Sequence, residues 1–268
     1  MSTHTRNITP TFLRQMKQMG KKIACLTVYD ASFARILEES GVEVLLVGDS
    51  LGMVIQGYSS TLPVTMDSMV YHTSCVARGV QHSLLVADLP FLSYTTPAQA
   101  IESAGRLMAA GAHMVKLEGG IVLAEIVRCL SQWGIPVCAH LGLLPQSVHK
   151  LGGYRVQGRS AEQATEILDS AKKLEEAGAD LLIVECVPAL LGQQLAAVLK
   201  IPVIGIGAGP KCDGQVLVLY DLLGIALGKR PKFTKNFLSG NDGIQDAVLA
   251  FVAEVKASLF PGSDHSFS

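Results

Sequence analysis

"GVEVLLVGDSLGM", residues 41–53, starts on a glycine, runs through an unbroken apolar stretch and stops at Gly48, Asp49 and Ser50 before the chain turns at Gly52. An apolar run of this length suits a strand buried on both faces, as in a parallel sheet covered by helices. The residue at the carboxyl end of such a strand emerges at a ligand crevice. Asp49 in that place could hold a metal, bind a hydroxyl or cap a helix. The same pattern recurs in "KIACLTVYD", "HSLLVADLP", "AHMVKLEGG", "IPVCAHLG", "ADLLIVECVP", "IPVIGIGAG" and "GQVLVLYDLLG", which with the first makes eight candidate strands.

Helical segments lie between them. From Ala161 to Ala177, Ala164, Ile167, Leu168, Ala171 and Leu174 share one face, and the Ala-rich stretch Pro97 to Ala110 has Thr96 as cap and Pro97 as first helical residue. Gly41, Gly111 and Gly178 stand where a left-handed residue stops a helix before the next strand. Eight strand-helix units in about 250 residues match an α/β (β/α)8 barrel, read here as one domain over residues 1–268. A doubly wound open sheet competes, but its first strand-to-helix turn, "TVYDASFA", lacks the glycine fingerprint of a dinucleotide site. Phe12, Leu13 and Met16 predict an extra N-terminal helix over the barrel floor. Val248, Phe251, Val252 and Val255 predict a C-terminal helix within Asn241 to Leu259, packed outside the barrel or on another subunit. The tail after about residue 259, "FPGSDHSFS", has no motif and is expected to be mobile.

An apolar fraction of 49% and mean hydropathy of +0.36 are high, yet no uncharged apolar stretch reaches the 18 or more residues that a membrane helix needs. Buried strands and subunit contacts absorb the excess. A net charge of -1 offers no basic field for nucleic acid or acidic lipid, and "GKRPKFTK", Gly228 to Lys235, reads as a solvated loop. The six cysteines are scattered without a C-x-x-C pair and read as reduced packing residues. The N-terminus has no signal-peptide core, so a cytoplasmic location is expected.

Counted from the punctuating glycines, Asp49 lies eight residues after Gly41, Glu118 seven after Gly111 and Glu185 seven after Gly178, while Asp88 ends its own run. In a parallel barrel these four acids, with Lys116 and His140, converge on the carboxyl face. Four carboxylates in an apolar mouth require a cation or a proton. Oxygen ligands without a zinc-spaced His or Cys set favour Mg²⁺. Lys116 and Glu118, two apart on one strand, point the same way. Each residue also has a plainer reading: Asp49 or Asp88 as a cap, Lys116 in a rim ion pair, His140 as a satisfied core histidine. The apolar flanks of Glu185 favour a general base, with a structural ion pair as the rival. "GIGAG", Gly205 to Gly209, reads as an anion cradle or as tight packing. "LGGYRVQGR", residues 151–159, reads as a cover for the mouth or as a surface loop.

In order, "LTVYD", "VGDSLGM", "VADLPF", "MVKLEGG", "AHLGLLPQSV", "LGGYRVQGR", "IVECVP" and "IGIGAG" resemble the ketopantoate hydroxymethyltransferase family from about residue 20 to about residue 240. The resemblance implies a (β/α)8 barrel that uses Mg²⁺ and 5,10-methylenetetrahydrofolate to convert 3-methyl-2-oxobutanoate into 2-dehydropantoate, for pantothenate synthesis, through a Mg-stabilised enolate. It also implies a homodecamer. Matched residue by residue, Asp49 and Asp88 are metal-binding acids that also meet the substrate, and Glu118 completes the metal site, directly or through water. Ser50 and Lys116 are substrate contacts, Glu185 is the proton acceptor, and His140 lies near the site. The rival enzyme reading is the phosphoenolpyruvate mutase and isocitrate lyase group, whose nucleophilic-cysteine loop is not evident. The rival outside catalysis is a silent barrel that binds or assembles, which would typically have lost part of this charged set.

Overall fold

The computed structural model describes residues 7–228 and 230–268. Eight parallel strands, β1 (Ile23–Thr27), β2 (Val44–Val47), β3 (Leu84–Asp88), β4 (Met114–Glu118), β5 (Val137–Gly142), β6 (Leu181–Glu185), β7 (Val203–Ile206) and β8 (Gly214–Leu217), pair in chain order and close through β8 onto β1. The helices are α1 (Pro10–Gln18), α2 (Ala31–Glu39), α3 (Leu51–Val54), α4 (Met66–Ala77), α5 (Pro97–Ala109), α6 (Ala124–Gln132), α7 (Ala161–Ala177), α8 (Ala189–Val198), α9 (Leu219–Leu222) and α10 (Ile244–Lys256). The expected barrel and both extra helices are present. Gly41, Gly111 and Gly178 have φ of 89°, 108° and 110°. At Gly178 a side chain would also collide with Ser131, whose Oγ lies 2.5 Å from the Cβ position, so glycine is required twice over.

Strand side chains alternate between two cores. One set, including Ala24, Leu26, Leu45, Leu85, Val115, Leu117, Leu182 and Val203, faces the helices. The other set, including Cys25, Leu46, Leu84, Val86, Met114, Cys138, Ile183 and Ile204, fills the barrel and joins Ile8, Leu13 and Met16 of the N-terminal segment. Helix α1 therefore plugs the floor. Lys17 rivets it there, with Nζ 2.7 Å from Asp213 Oδ2 and donating to the Ile201 carbonyl at 3.0 Å. Helix α10 packs on β1 and α2, and its Phe251 meets Phe237 and Phe260 with ring centroids 5.6 and 5.8 Å apart.

The tail lies against the barrel. Phe260 is 3% exposed in that aromatic cluster, and the Ala189 N–H donates to the Phe267 carbonyl at 2.9 Å. Two phenylalanines that can be buried outweigh the polar composition around them, so the segment is packed against the barrel.

Glu38 ties the end of α2 to the approach of β3. Its buried carboxylate accepts the N–H groups of Gln81 at 3.0 Å, His82 at 2.6 Å and Ser83 at 2.7 Å. Burial by itself would raise the pKa, but these backbone donors outweigh it and hold the carboxyl below its ordinary value. Glu38→Ala strands these donors and should cost about 2 to 4 kcal/mol in urea unfolding. Because the folded pKa is depressed, the ionised form's contribution is complete above the unfolded pKa of about 4.3 and is lost as pH falls through the folded value. The stability gap between the wild type and Glu38→Gln should accordingly be constant near neutrality and shrink only in acid.

Candidate active site

Period-two alternation carries the inward row of each strand from the floor to the mouth. On β3 it reads Leu84, Val86, Asp88; on β4 Met114, Lys116, Glu118; on β5 Cys138, His140; on β6 Leu181, Ile183, Glu185. Apolar residues fill the lower layers and charge appears at the top. The register does the rest: Asp88 pairs with Lys116 across β3 and β4, and Glu118 with His140 across β4 and β5. Lys116 Nζ lies 2.9 Å from Asp88 Oδ1 and 3.5 Å from Glu118 Oε1. His140 Nδ1 lies 3.1 Å from Glu118 Oε1, and Nε2 faces Glu185 Oε2 at 3.4 Å. Glu185 thus faces an imidazole rather than the purely apolar wall that its flanks suggest.

Asp49 lies two residues beyond β2, and its N–H donates to Asp88 Oδ2 at 3.0 Å. Ser50 Oγ is 2.9 Å from the Tyr29 hydroxyl, which in turn donates to Thr27 Oγ1 at 2.8 Å. All of the residues singled out in the sequence therefore meet in one mouth, His140 included. They line a cavity of about 940 Å³, whose rim includes Tyr154 and Val156 of the 151–159 loop. That loop reaches over the mouth, with the Tyr154 hydroxyl 3.7 Å from Met53 Sδ.

Burial sets the charge states. It raises the Asp49 pKa, and repulsion from Asp88 and Glu118 raises it further. Burial opposes charge on Lys116 and His140 too, but the carboxylates around them win, holding the ammonium pKa above its usual range and pushing His140 up to about 9. For Glu118, burial is outweighed by His140 and Lys116, and its pKa falls to about 2. Near neutral pH the imidazole is a cation. With every acid ionised, four carboxylates face two cations, leaving a deficit equal to the charge of one divalent ion.

The fit to a metal is narrower than the sequence suggests. Among the described residues no group of three or more His, Cys, Asp and Glu is arranged to hold a metal ion. Glu118 is already engaged, Oε1 by His140 and Lys116 and Oε2 by the Gln146 N–H at 3.0 Å. Asp88 Oδ1 makes no well-formed hydrogen bond despite the nearby ammonium. Asp49 and Asp88 remain as a two-carboxylate platform, the donor set with which Mg²⁺, completed by water and substrate oxygens, is commonly held.

Gln146 escapes a reading based on charge. Its amide donates to Asp49 Oδ2 at 2.8 Å and to the Leu89 carbonyl at 3.0 Å, while Tyr94 donates to its Oε1 at 2.5 Å. The signal was a lone amide after proline in the apolar stretch "LGLLPQSV". Cys186, next to Glu185, has φ of 48°, a strained left-handed conformation for a residue with a side chain. Its N–H donates to the Ile206 carbonyl at 2.8 Å and its own carbonyl accepts from Gln157 at 2.9 Å, so the kink after Glu185 is clamped from both sides.

The sequence matches the family model described as ketopantoate hydroxymethyltransferase over residues 7–263. The chain belongs to that family. It is 62% identical to the 3-methyl-2-oxobutanoate hydroxymethyltransferase of Nitrosococcus oceani, over 95% of this chain and 97% of the relative. The enzyme of the same name from Shewanella halifaxensis is 58% identical, over 97% and 99%. Among solved structures, a phosphonopyruvate hydrolase in complex with oxalate and Mg²⁺ superposes with a TM-score of 0.60 at 14% identity, over 78% of this chain and 80% of that one. That likeness concerns the barrel alone. Relatives named 3-methyl-2-oxobutanoate hydroxymethyltransferase at this identity over nearly the whole chain decide against a silent barrel.

Gln146→Ala strips Asp49 of its amide donor, takes the donor from the Leu89 carbonyl and leaves the Tyr94 hydroxyl with only its 3.2 Å bonds to the Glu118 backbone. A loss of about 2 to 4 kcal/mol is expected, read as a lower urea midpoint with an unchanged slope.

Proposed function

We propose that this chain is a 3-methyl-2-oxobutanoate hydroxymethyltransferase that takes its one-carbon unit from 5,10-methylenetetrahydrofolate and forms 2-dehydropantoate for pantothenate synthesis. The observation that carries the reading is the placing of Glu185 beside His140, across a mouth from the paired acids Asp49 and Asp88, in a chain of this family. Asp49 and Asp88 would hold Mg²⁺, with Glu118 behind them. Bound there, the ion would supply positive charge to the keto acid's oxygens as electron density builds on them.

The chain's own residues account for the remaining steps. Glu185 takes the C3 proton, and the electron pair left on C3 forms the new carbon-carbon bond to the folate-borne methylene as one of that carbon's two bonds to nitrogen breaks, its electron pair passing to the departing nitrogen, which picks up a proton. Water then replaces the folate nitrogen on that carbon and leaves it as a hydroxymethyl group. His140, held by Glu118, sets Nε2 3.4 Å from Glu185 without a well-formed hydrogen bond and so places positive charge beside the base. Lys116 sets a second cation beside the substrate's developing charge. Ser50, held by Tyr29, offers a hydroxyl to the substrate. The cover formed by Tyr154 and Val156 limits water while the new bond forms.

We further read the enzyme as a cytoplasmic homo-oligomer, a decamer like the family's assembly. Six free thiols suit a reducing compartment, and Val122 and Trp133, 81% and 74% exposed, suit contact between copies.

Purified protein should consume 3-methyl-2-oxobutanoate only with both Mg²⁺ and 5,10-methylenetetrahydrofolate. Without folate, it should exchange the C3 proton into D₂O, seen by NMR. Glu185→Gln should cut that exchange by about 10² to 10⁴ while calorimetry still finds Mg²⁺ and keto acid bound, and unimpaired exchange would remove Glu185 from the role of base. Asp49→Asn should abolish Mg²⁺-dependent turnover without lowering the thermal midpoint, since the amide also relieves repulsion from Asp88 and Glu118. A lowered midpoint with metal affinity intact would mark Asp49 as structural.

A further inference from the structure

The inward rows of the other four strands end without charge. On β3 to β6 they finish in Asp88, Glu118, His140 and Glu185, but on β7 the row ends in Ile206, on β8 in Val216, on β1 in Thr27 and on β2 in Leu46. The mouth therefore has a charged half and an apolar half, and both line one cavity. Charge suffices to hold the head of a keto acid and to remove its proton. The apolar half serves neither step, so it faces the part of the substrate that carries no polar atom.

Strand register puts Ile206 at the boundary between the halves. It pairs with Glu185 across β6 and β7, and the pairing of Gly205 with Gln215 brings Val216 beside it on β8. Ile206 is 7% exposed and Val216 3%, whereas Ile204, one layer below, is sealed at 0%. Both residues line the cavity. The wall that they form is stiff. The Cys186 N–H donates to the Ile206 carbonyl at 2.8 Å, which ties the wall's backbone to the residue after Glu185. On the other side Gly207, with φ of 59°, leaves room for Phe233 and Phe267, each 3.0 Å from its Cβ position. Both wall residues are β-branched and have few rotamers into which to retreat.

A keto acid with its head at Asp49, Asp88 and Lys116 turns C3 toward Glu185. His140 stands on the β5 side of that carboxylate and Ile206 on the β7 side. Methyl groups on C3 gain by burial against Ile206, and a longer branch would have to displace a fixed side chain. We propose that Ile206, backed by Val216, is a specificity-determining residue that seats the methyl groups of C3 and sets the upper size of the branch. The assignment rests on the keto-acid reading above and is independent of folate.

Competition in one tube tests it. The full chain, with Mg²⁺ and no folate, is given 3-methyl-2-oxobutanoate together with 3-methyl-2-oxopentanoate, which carries an ethyl in place of one methyl. NMR in D₂O follows the loss of each C3 proton. The ratio of the two rates is a ratio of kcat/KM values, so it does not depend on how much of a variant is folded. The wild type should favour the methyl acid. Ile206→Ala should move the ratio toward the ethyl acid by about 10- to 100-fold, and Ile206→Val or Val216→Ala by about two- to fivefold. If Ile206→Ala exchanges neither acid, Ile206→Val decides. A wild type that treats the two acids alike overturns the assignment. So does a variant that slows both by the same factor, because Ile206 then acts only as a support for Glu185. A wild type that exchanges neither acid overturns the keto-acid reading itself.

Discussion

The ammonium of Lys116 is buried between Asp88 and Glu118, and the architecture of the mouth depends on it. Carboxylates at the tops of neighbouring strands repel one another in a medium that screens them poorly, and removing one partner from such a buried cluster costs about 3 to 5 kcal/mol. His140 extends the same compensation to Glu185. The result is a chain of alternating charge, Asp88, Lys116, Glu118, His140, Glu185, that runs across β3 to β6. Asp49 has the Gln146 amide as its donor and meets the Lys116 charge only through space, against burial and the repulsion of Asp88 and Glu118, which makes it the acid most in need of an added positive charge.

The two ends of the barrel solve opposite problems. At the floor α1 seals an apolar interior with Leu13 and Met16, and its Lys17 is consumed by loop carbonyls and Asp213. No cavity is needed there, and charge serves only to dock a helix. At the mouth the same inward rows end in polar groups held by the barrel's own hydrogen bonds. Gln146 and Tyr94 brace Asp49 and Glu118 from behind, so these acids are fixed before any ligand arrives. Preorganisation of this kind suits a reaction in which charge builds on the substrate during proton removal.

Loops after the strands line the cavity. The turn after β2 and the segment after β5 contribute to its lining, as do Leu227, Arg230, Phe233 and, from the C-terminal tail, Phe267. The tail takes part because Gly207 leaves room for Phe267. A segment without recognisable motif thereby becomes a wall of the site.

The sequence by itself determined the barrel, the strand-ending acids and the plug at the floor. Apolar runs that end in acids, glycines at a fixed distance before them, and the two-residue period that carries Lys116 and Glu118 to the same side are all local properties. The tertiary structure decided which side chains became partners. The ion pairs of Lys116 with Asp88 and of His140 with Glu118 follow from strand register, which sets residues 22 to 28 positions apart side by side. The engagement of Gln146 with Asp49, across 97 positions, follows from a loop that folds back into the mouth. Neutral side chains such as Gln146 and Tyr94 carry no pattern of their own, and the docking of Phe267 depends on space that a distant glycine leaves. These contacts join residues remote in the chain, so no stretch of sequence read alone contains them.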